Sequence, residues 1–247
     1  MNYEELKNLA SQTSVATVTD VLDPKPNQFT ILGLTPTQRD KQMFGQAVTL
    51  RSLPARADAI ADATKRYSDK VASGDPMMAA IKLCGPGNVL VVDSSGHPDA
   101  AIGGDTKFAA FSAQGAAGLV TDGAIRDQRE FQEEFAFPAF VAGFTPLVGT
   151  GRVLYGNDVN IDINCGGALV RPGDYLLGDE DGIVVIPEEH IERTLNAAIA
   201  SEKIGLYIRE KAVKEGLTYG DIVPKKDEWF EDFLAGARLT EAQRATL

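Results

Sequence analysis

The sequence predicts an α/β fold, in which apolar strands alternate with helices. One strand, residues 88–93, is a continuous apolar run that follows a predicted helix and a Gly85-Pro86-Gly87 break. A second strand, residues 118–121, lies between predicted helices at 105–114 and 128–135. Alternation of the two element types along the chain is typical of the α/β class.

The first part of the chain contains further elements around these strands. Helices are predicted at residues 4–10, 58–67 and 77–83, with a helical turn beginning near Thr19. Residues 45–50 alternate in polarity and predict a strand. Gly115 follows the predicted helix 105–114 at the position where a glycine ends many helices.

Short strands dominate the chain from residue 139 to residue 187. We expect strands at 139–142, 163–170, 175–177 and 183–187, with glycine-containing turns at 171–174 and 179–182. The acidic turn of Asp179, Glu180 and Asp181 is reminiscent of a metal cluster. Between two strands, however, a solvated turn is the favoured interpretation.

The C-terminal part is predicted to be helical. A long helix extends from residue 188 to about residue 211, and its first two residues are glutamates, which suit the positive helix end. Two shorter helical pieces follow Gly216, and Thr240 is expected to cap the last of them. We interpret Trp229, Phe230 and Phe233 as a docking face for this subunit or for a neighbouring one.

The composition describes an ordinary globular chain. Its 247 residues suffice for one large domain or two small ones, with 44% hydrophobic and 24% charged residues. The net charge of −11 disfavours a nucleic-acid-binding surface. An acidic protein that binds an anionic substrate must concentrate positive charge locally, so individual arginines become informative.

Cysteine usage and the N-terminus favour a cytoplasmic protein. Cys84 and Cys165 are far apart and lack metal-ligand spacing, so we expect two buried free thiols rather than a disulfide. The first ten residues lack a basic stretch followed by an apolar one, so no signal peptide is predicted. No segment approaches the roughly 18 apolar residues that span a bilayer, so we expect no membrane partner.

Two strand-to-helix junctions carry the chemically informative residues. At residues 103–107, a pair of glycines opens a helix, which lets backbone N–H groups approach an anion. This segment is neither a Walker motif nor the GxGxxG of dinucleotide folds. A plain tight turn is the alternative interpretation.

The second junction delivers Arg126 and Asp127 side by side. The guanidinium can bind a carboxylate with two donors, and the aspartate can cap the helix or hold a hard cation. A surface arginine beside an N-cap aspartate is the alternative. Because ligands collect at the carboxyl ends of strands in α/β folds, the pair of junctions predicts a site for a small, metal-chelating organic acid.

Several segments together resemble the RraA-like family. They are Gly103-Gly104-Asp105, residues 118–123, Arg126-Asp127, and Arg171-Pro172-Gly173-Asp174 followed by residues 179–187. Thr19-Asp20 and residues 45–49 also match family segments. The resemblance covers residues 15–203 and implies a swivelling β/β/α sandwich that assembles as a homotrimer or homohexamer. It places a catalytic domain at residues 1–203 and a helical extension at residues 204–247.

The family includes divalent-metal-dependent aldolases that release pyruvate. One is 4-hydroxy-4-methyl-2-oxoglutarate/4-carboxy-4-hydroxy-2-oxoadipate aldolase, and such enzymes also decarboxylate oxaloacetate. The resemblance therefore implies a lyase for a 4-hydroxy-2-oxo acid, in which a hard cation neutralises the enolate that forms. The family also includes a regulator that binds a ribonuclease and lacks the metal-binding aspartate, which is the alternative function.

The resemblance also implies roles for individual residues. Asp127 would hold Mg²⁺ or Mn²⁺, and Arg126 would bind the substrate near its carboxylate and carbonyl. Backbone amides of Gly104, Asp105, Thr106 and Lys107 would receive the pyruvate carboxylate, and Asp105 would order a metal-bound water. Glu202 matches a glutamate that family members donate to the site across a subunit interface.

Other chemistries are disfavoured by the sequence. Schiff-base catalysis would need a buried lysine, and Lys107, one turn into a helix, is expected to be exposed. His97 and His190 lack partners at ligand spacing and are expected on the surface. A methyltransferase would need a glycine-rich loop followed by an acidic strand end, which we do not find.

Overall fold

The computed structural model describes residues 1–22, 28–222, 227–236 and 239–247, and it confirms the predicted α/β class. The strands are β1 (Thr30–Ile31), β2 (Thr35–Pro36), β3 (Met43–Pro54), β4 (Asn88–Asp93), β5 (Gly118–Ile125), β6 (Ala139–Phe144), β7 (Leu154–Val159), β8 (Ile163–Cys165), β9 (Ala168–Val170), β10 (Tyr175–Asp179) and β11 (Gly182–Ile186). The helices are α1 (Tyr3–Ala10), α2 (Val15–Val21), α3 (Ala57–Tyr67), α4 (Pro76–Leu83), α5 (Asp105–Ala113), α6 (Gln128–Glu133), α7 (Ile191–Glu215), α8 (Tyr219–Ile222), α9 (Asp227–Gly236) and α10 (Glu241–Arg244). A 3₁₀ turn, Glu188–His190, precedes α7.

One mixed sheet organises the described part of the chain. Its order is β1-β11-β10-β3-β4-β5-β6-β2, and β7 pairs with the carboxyl-terminal half of β3. Strands β3, β4, β5 and β6 are parallel to one another, whereas β10, β11, β1 and β2 extend the sheet in antiparallel pairs. The loops that follow β4 and β5 therefore leave the same edge, where α/β folds collect ligands.

The sheet is buried on both faces. Leu90 and Val92 of β4 join a cluster beneath α4, α5 and α6, whereas Val89 and Val91 face the β8–β9 hairpin. This alternation follows from the two-residue period of a strand. A third cluster packs α1, α2 and α7 against β10 and β11. The apolar run at residues 88–93 is thus a central strand, as predicted.

Two predicted strands need correction, and strand β7 had no counterpart among the predictions. The predicted strand 163–170 is a hairpin, β8–β9, because Gly166 and Gly167 adopt φ of +54° and +87° and reverse the chain. Strand β5 does not end at residue 121 but continues to Ile125. Strand β7 was not predicted, because its glycine, asparagine and aspartate are residues that strands disfavour.

The C-terminal helices dock on this subunit. Helix α7 is continuous through the predicted boundary at residues 203 and 204, and it presents Ile204 and Ile208 to Trp229 and Phe233 of α9. Trp229 and Phe233 of the predicted aromatic docking face are thus buried in a cluster with α7 of the same chain, whereas Phe230 is 37% exposed. Thr240 caps α10, as predicted, by accepting the backbone N–H of Gln243.

Both cysteines are free and buried, as predicted. Burial raises the pKa of Cys84 to about 12 and raises that of Cys165 as well, so both thiols are inert hydrophobic groups in the core. None of the helices in the described ranges combines the length and the apolar character that crossing a bilayer would require.

Candidate active site

A cavity of about 400 Å³ opens at the sheet edge where the loop before α5 meets the end of β5. Its walls combine glycines, apolar side chains and charged groups. The lining residues are Met78, Ala101, Gly103, Gly104, Asp105, Thr106, Lys107, Arg126, Val148 and Thr150. Both junctions singled out in the sequence therefore contribute to one cavity.

Backbone hydrogen bonds bring the two junctions together. The N–H of Ile102 donates to the carbonyl of Ala124 across 2.9 Å, and the N–H of Arg126 donates to the carbonyl of Gly103 across 3.2 Å. The loop 101–104 thus lies along the final residues of β5. The strand extension to Ile125, which the sequence did not predict, is what carries Arg126 to the cavity.

Asp127 links the starts of two helices. It occupies the N-cap position of α6 in the left-handed region, with φ of 63° and ψ of 50°. Its side chain makes no hydrogen bond to α6; Oδ2 instead accepts the backbone N–H of Asp105, the first residue of α5, across 3.0 Å. Within the described residues no group donates to Oδ1, so that oxygen is available to a ligand.

Gly104 is required by this arrangement. A Cβ at this position would overlap Oδ2 of Asp127 and would lie 2.8 Å from Nε of Arg126. The backbone at residue 104 therefore touches both functional side chains directly. Gly104 was predicted as a glycine whose backbone approaches an anion, and its close contact with Asp127 and Arg126 adds a steric requirement.

Arg126 and Asp105 carry the charges at the cavity mouth. Nε of Arg126 lies 3.4 Å from Oδ2 of Asp127, and the arginine side chain is 42% exposed. Oδ1 of Asp105 accepts the backbone N–H and the hydroxyl of Thr106, and these hydrogen bonds lower the pKa of Asp105. Asp105 is therefore an ionised acceptor at neutral pH.

Two of the four backbone amides expected to bind a carboxylate are already engaged. The N–H of Asp105 donates to Asp127, and the N–H of Thr106 donates to the Asp105 side chain. Among the described contacts, the amides of Gly104 and Lys107 have no acceptor. An incoming carboxylate would find those two donors at the start of α5.

The expected exposure of Lys107 is wrong. Only 20% of its side chain is exposed, since its stem lies over Gly103, where Cδ would be 3.1 Å from an added Cβ. Nζ donates to the carbonyl of Ile102 across 3.4 Å and lies 3.9 Å from Oδ2 of Asp75. Burial lowers the pKa of Lys107, while Asp75 partly offsets that effect.

Glu202 does not line this cavity. Its Oε1 accepts hydrogen bonds from the hydroxyls of Ser14, at 3.0 Å, and Thr17, at 2.6 Å, so it joins α7 to the start of α2. The role implied for it across a subunit interface stays a prediction. His97 and His190 are exposed, as expected. In the turn at residues 179–181, the Asp179 side chain accepts the backbone N–H of Val15, the first residue of α2.

Three further residues that line the cavity were not predicted from the sequence. Met78, Val148 and Thr150 come from α4 and from the loop after β6, and neither segment carries a recognisable motif. The hydroxyl of Thr150 donates to the carbonyl of Ile102 across 2.9 Å, the same carbonyl that Lys107 contacts. Only the three-dimensional fold reveals this contribution.

The donor set fits a hard divalent cation that keeps most of its water ligands. The described residues contain no group of three or more histidine, cysteine, aspartate or glutamate side chains that could hold a metal. Mg²⁺ needs only one or two protein carboxylates, and Asp127 offers Oδ1 beside the Asp105 carboxylate. A closed structural metal centre is not what these residues form.

Comparisons with known proteins agree on one family. The family model for RraA-like proteins, described as Aldolase/RraA, matches residues 15–185. A protein of Halalkalibacterium halodurans, provisionally named 4-hydroxy-4-methyl-2-oxoglutarate aldolase, is 37% identical over 150 residues, or 60% of this chain and 70% of the relative. The 4-hydroxy-4-methyl-2-oxoglutarate aldolase of Thermus thermophilus is 35% identical over 106 residues. That match covers 42% of this chain and 62% of the relative, which is less than two thirds of its length.

A solved structure extends the agreement to the fold. Streptomyces coelicolor RraAS2, described as an unusual member of the RNase ES inhibitor RraA protein family, superposes with a TM-score of 0.71 at 27% identity. The superposition covers 83% of this chain and 96% of RraAS2. The cavity residues from Met78 to Thr150 lie within the range matched by the family model, whereas Glu202 lies outside it.

Proposed function

This chain belongs to the RraA-like family, and from that premise we propose that it is a divalent-metal-dependent lyase. Its substrate would be a 4-hydroxy-2-oxo acid, and its product pyruvate. The observation that carries this proposal is the contact of Asp127 with Asp105 and Arg126, two residues that line the cavity. The aldolase names of two relatives support the same reaction class.

The reaction determines which groups the site must supply. Cleavage of the C3–C4 bond sends its electron pair toward the C2 carbonyl and leaves the enolate of pyruvate. The C4 hydroxyl gives its proton to a water molecule as the second product becomes a carbonyl compound, and C3 of the enolate takes up a proton from water to give pyruvate. The barrier falls when donors stabilise the negative charge that develops on the C2 oxygen.

Several residues of this chain would together bind the substrate and stabilise the charge on the C2 oxygen. Arg126 would direct its guanidinium donors at the C1 carboxylate and the C2 oxygen. The free amides of Gly104 and Lys107 would hold the carboxylate at the start of α5. Asp127, supported by Asp105, would hold Mg²⁺ or Mn²⁺, which supplies Lewis-acid stabilisation of the C2 oxygen when bound. Asp105, an ionised acceptor, would orient a water beside the reacting atoms.

The test couples pyruvate release to lactate dehydrogenase. The purified protein would be given 4-hydroxy-4-methyl-2-oxoglutarate, 4-carboxy-4-hydroxy-2-oxoadipate or oxaloacetate with Mg²⁺ or Mn²⁺. We expect turnover of at least one acid, loss of that turnover with EDTA, and recovery on adding excess metal. Absence of turnover, or turnover that ignores EDTA, would contradict the proposal.

The alternative is a non-enzymatic regulator that binds a ribonuclease or another protein. The similarity to RraAS2 favours considering it, whereas the presence of Asp127 argues against it. Recovery of a stoichiometric protein partner, together with absence of Mn²⁺ binding in calorimetry, would support the regulator.

Light scattering on the same preparation would test the expected trimer or hexamer.

A further inference from the structure

The cavity contains a second cationic side chain whose function the lyase reaction leaves open. Arg126 lies at the mouth, next to Asp127, and Lys107 lines the cavity beneath the loop 101–104. The cavity wall also contains the apolar side chains of Met78, Ala101 and Val148. The cavity therefore offers two cationic groups with different neighbours, Arg126 beside Asp127 and Lys107 beside Asp75.

The ammonium of Lys107 has unused hydrogen-bonding capacity. A lysine ammonium has three N–H donors, yet the described contacts include only one acceptor, the Ile102 carbonyl, at a long 3.4 Å. Asp75 lies 3.9 Å away, beyond hydrogen-bond distance. Since Lys107 lines the cavity and its side chain is only 20% exposed, acceptors for the remaining donors must come from the cavity, as water or as a ligand. A ligand oxygen in the cavity would complete them.

The surrounding residues hold this ammonium in place. The lysine stem lies over Gly103, and the Ile102 carbonyl that orients Nζ also accepts the hydroxyl of Thr150. Asp75 is itself fixed as the N-cap of α4, where it accepts the N–H of Met77 across 2.9 Å. A cation positioned in this way costs little side-chain entropy when a ligand binds.

We propose that Lys107 binds the second carboxylate of a dicarboxylic 2-oxo acid and selects such acids over monocarboxylic ones. The inference rests on the proposed function, because it takes Arg126 as the group that binds the 2-oxo acid end. The acids chosen for the assay above already carry a second carboxylate, and Lys107 is assigned as the group that binds it. Lys107 is a specificity-determining residue in this assignment and forms no covalent bond to the substrate.

Calorimetry with two matched acids tests this role without requiring turnover. 2-Oxoglutarate and 2-oxopentanoate have the same carbon chain, and only the former has a second carboxylate. Neither has a 4-hydroxyl group, so neither can undergo the cleavage. Both would be titrated, with Mn²⁺ present, into the wild-type protein and into Lys107→Met, Lys107→Arg and Lys82→Met. Lys82 is an exposed lysine of α4, and its substitution removes the same charge from the surface.

We expect the wild type to bind 2-oxoglutarate about tenfold or more tightly than 2-oxopentanoate, the usual effect of one charge-assisted hydrogen bond. Lys107→Met should abolish this preference and leave 2-oxopentanoate binding unchanged. Lys107→Arg should retain part of the preference, and Lys82→Met all of it. A merely structural lysine would change both affinities equally.

The outcomes separate this inference from the proposed function. If both acids bind and the preference is absent or survives in Lys107→Met, the inference is overturned and the lyase proposal stands. If neither acid binds, the inference is overturned, and the pyruvate-release assay decides the lyase proposal separately. Trapping of pyruvate on Lys107 by borohydride would also overturn the inference, because the lysine would then act as a nucleophile.

Discussion

Oδ2 of Asp127 accepts the backbone N–H of Asp105 across 3.0 Å and thereby joins the start of α6 to the start of α5. The same oxygen lies 3.4 Å from Nε of Arg126. One carboxylate oxygen therefore orders both junctions of the candidate site. Since Oδ1 has no donor among the described residues, the structural and the ligand-binding tasks fall to different oxygens of one side chain.

This division predicts that Asp127→Asn will fold normally and lose activity. Asparagine tolerates the left-handed conformation and keeps an oxygen for the Asp105 N–H, but it removes the negative charge. We expect kcat/KM for the best 2-oxo acid to fall about a hundredfold or more, in the range found for loss of one electrostatic catalytic group. Mn²⁺ affinity measured by calorimetry should fall in parallel, while the melting temperature changes little.

Asp181→Asn is the matched control for this substitution. Asp181 lies in an exposed turn, so the change removes one carboxylate away from the cavity. Wild-type rates in Asp127→Asn would show that the site is wrongly assigned. Equal losses in the two variants would point to net charge rather than to a specific ligand.

Two glycine substitutions are predicted to have opposite effects on stability. In Gly104→Ala the new Cβ collides with Asp127 and Arg126, so we expect a loss of about 1–3 kcal/mol and strongly reduced activity. In Gly205→Ala the new Cβ meets no atom within 4 Å, and the position lies inside α7. We expect that variant to gain about 0.5–1 kcal/mol from helix propensity.

Urea denaturation of both variants, with activity measured alongside, checks this pair. The comparison separates a local steric requirement from a general effect of adding a methyl group. If Gly104→Ala kept both stability and activity, the close approach of loop 101–104 to Asp127 would not describe the protein in solution.

The fold could be predicted from sequence where hydrophobic periodicity was strong. The strand at residues 88–93 and the helices α3, α4 and α5 were predicted within one or two residues, because long apolar patterns report burial directly. Strand β7 and the β8–β9 hairpin were not, because glycines at 156, 166 and 167 weaken the strand pattern. Tertiary pairing with β3 is what makes β7 a strand.

The site was predictable where a motif existed and not where only proximity mattered. Gly104, Asp105, Arg126 and Asp127 stood out as two strand-to-helix junctions; the first three line one cavity, and Asp127 is joined to them through its hydrogen bond with the Asp105 N–H. Burial of Lys107 was not predictable, because it depends on Asp75 and Ile102. Ile102 contributes through its backbone carbonyl, which no side-chain pattern reveals, and Asp75 lies at the start of another helix, α4.

Lys107 should destabilise the folded protein in a pH-dependent way. Burial lowers its pKa in the folded state, so the cost of burying the charge is fully present at pH values below that folded pKa. As the pH rises from the folded pKa toward the unfolded value, the folded state sheds its proton first and the cost disappears. Neighbouring Asp75 reduces the cost, but desolvation is the larger effect.

Lys107→Met is therefore expected to be more stable than the wild type at neutral pH, with the difference shrinking as the pH becomes alkaline. Chemical denaturation at a series of pH values measures this difference, with Lys82→Met as the control that should show none. A wild type that is the more stable protein at pH 7 would mean that the Asp75 contact outweighs desolvation.

The predicted boundary at residues 203 and 204 can be tested through the aromatic contact between α7 and α9. Trp229 is 5% exposed and packs in a cluster with Ile204, Ile208 and Phe233, whereas the adjacent Phe230 is 37% exposed. Trp229→Ala should weaken the packing of α9 on α7 by about 3 kcal/mol, and Phe230→Ala should weaken it much less.

Because this cluster shares no member with those beneath the sheet, we expect Trp229→Ala to release the tail without unfolding the rest. Limited proteolysis should then cut after about residue 216, while the main thermal transition and the lyase activity persist. Hydrogen exchange in β3, β4 and β5 would remain slow in that case. If these strands lost protection together with the tail, α7 would transmit the loss to the sheet, and the two parts would form a single cooperative unit.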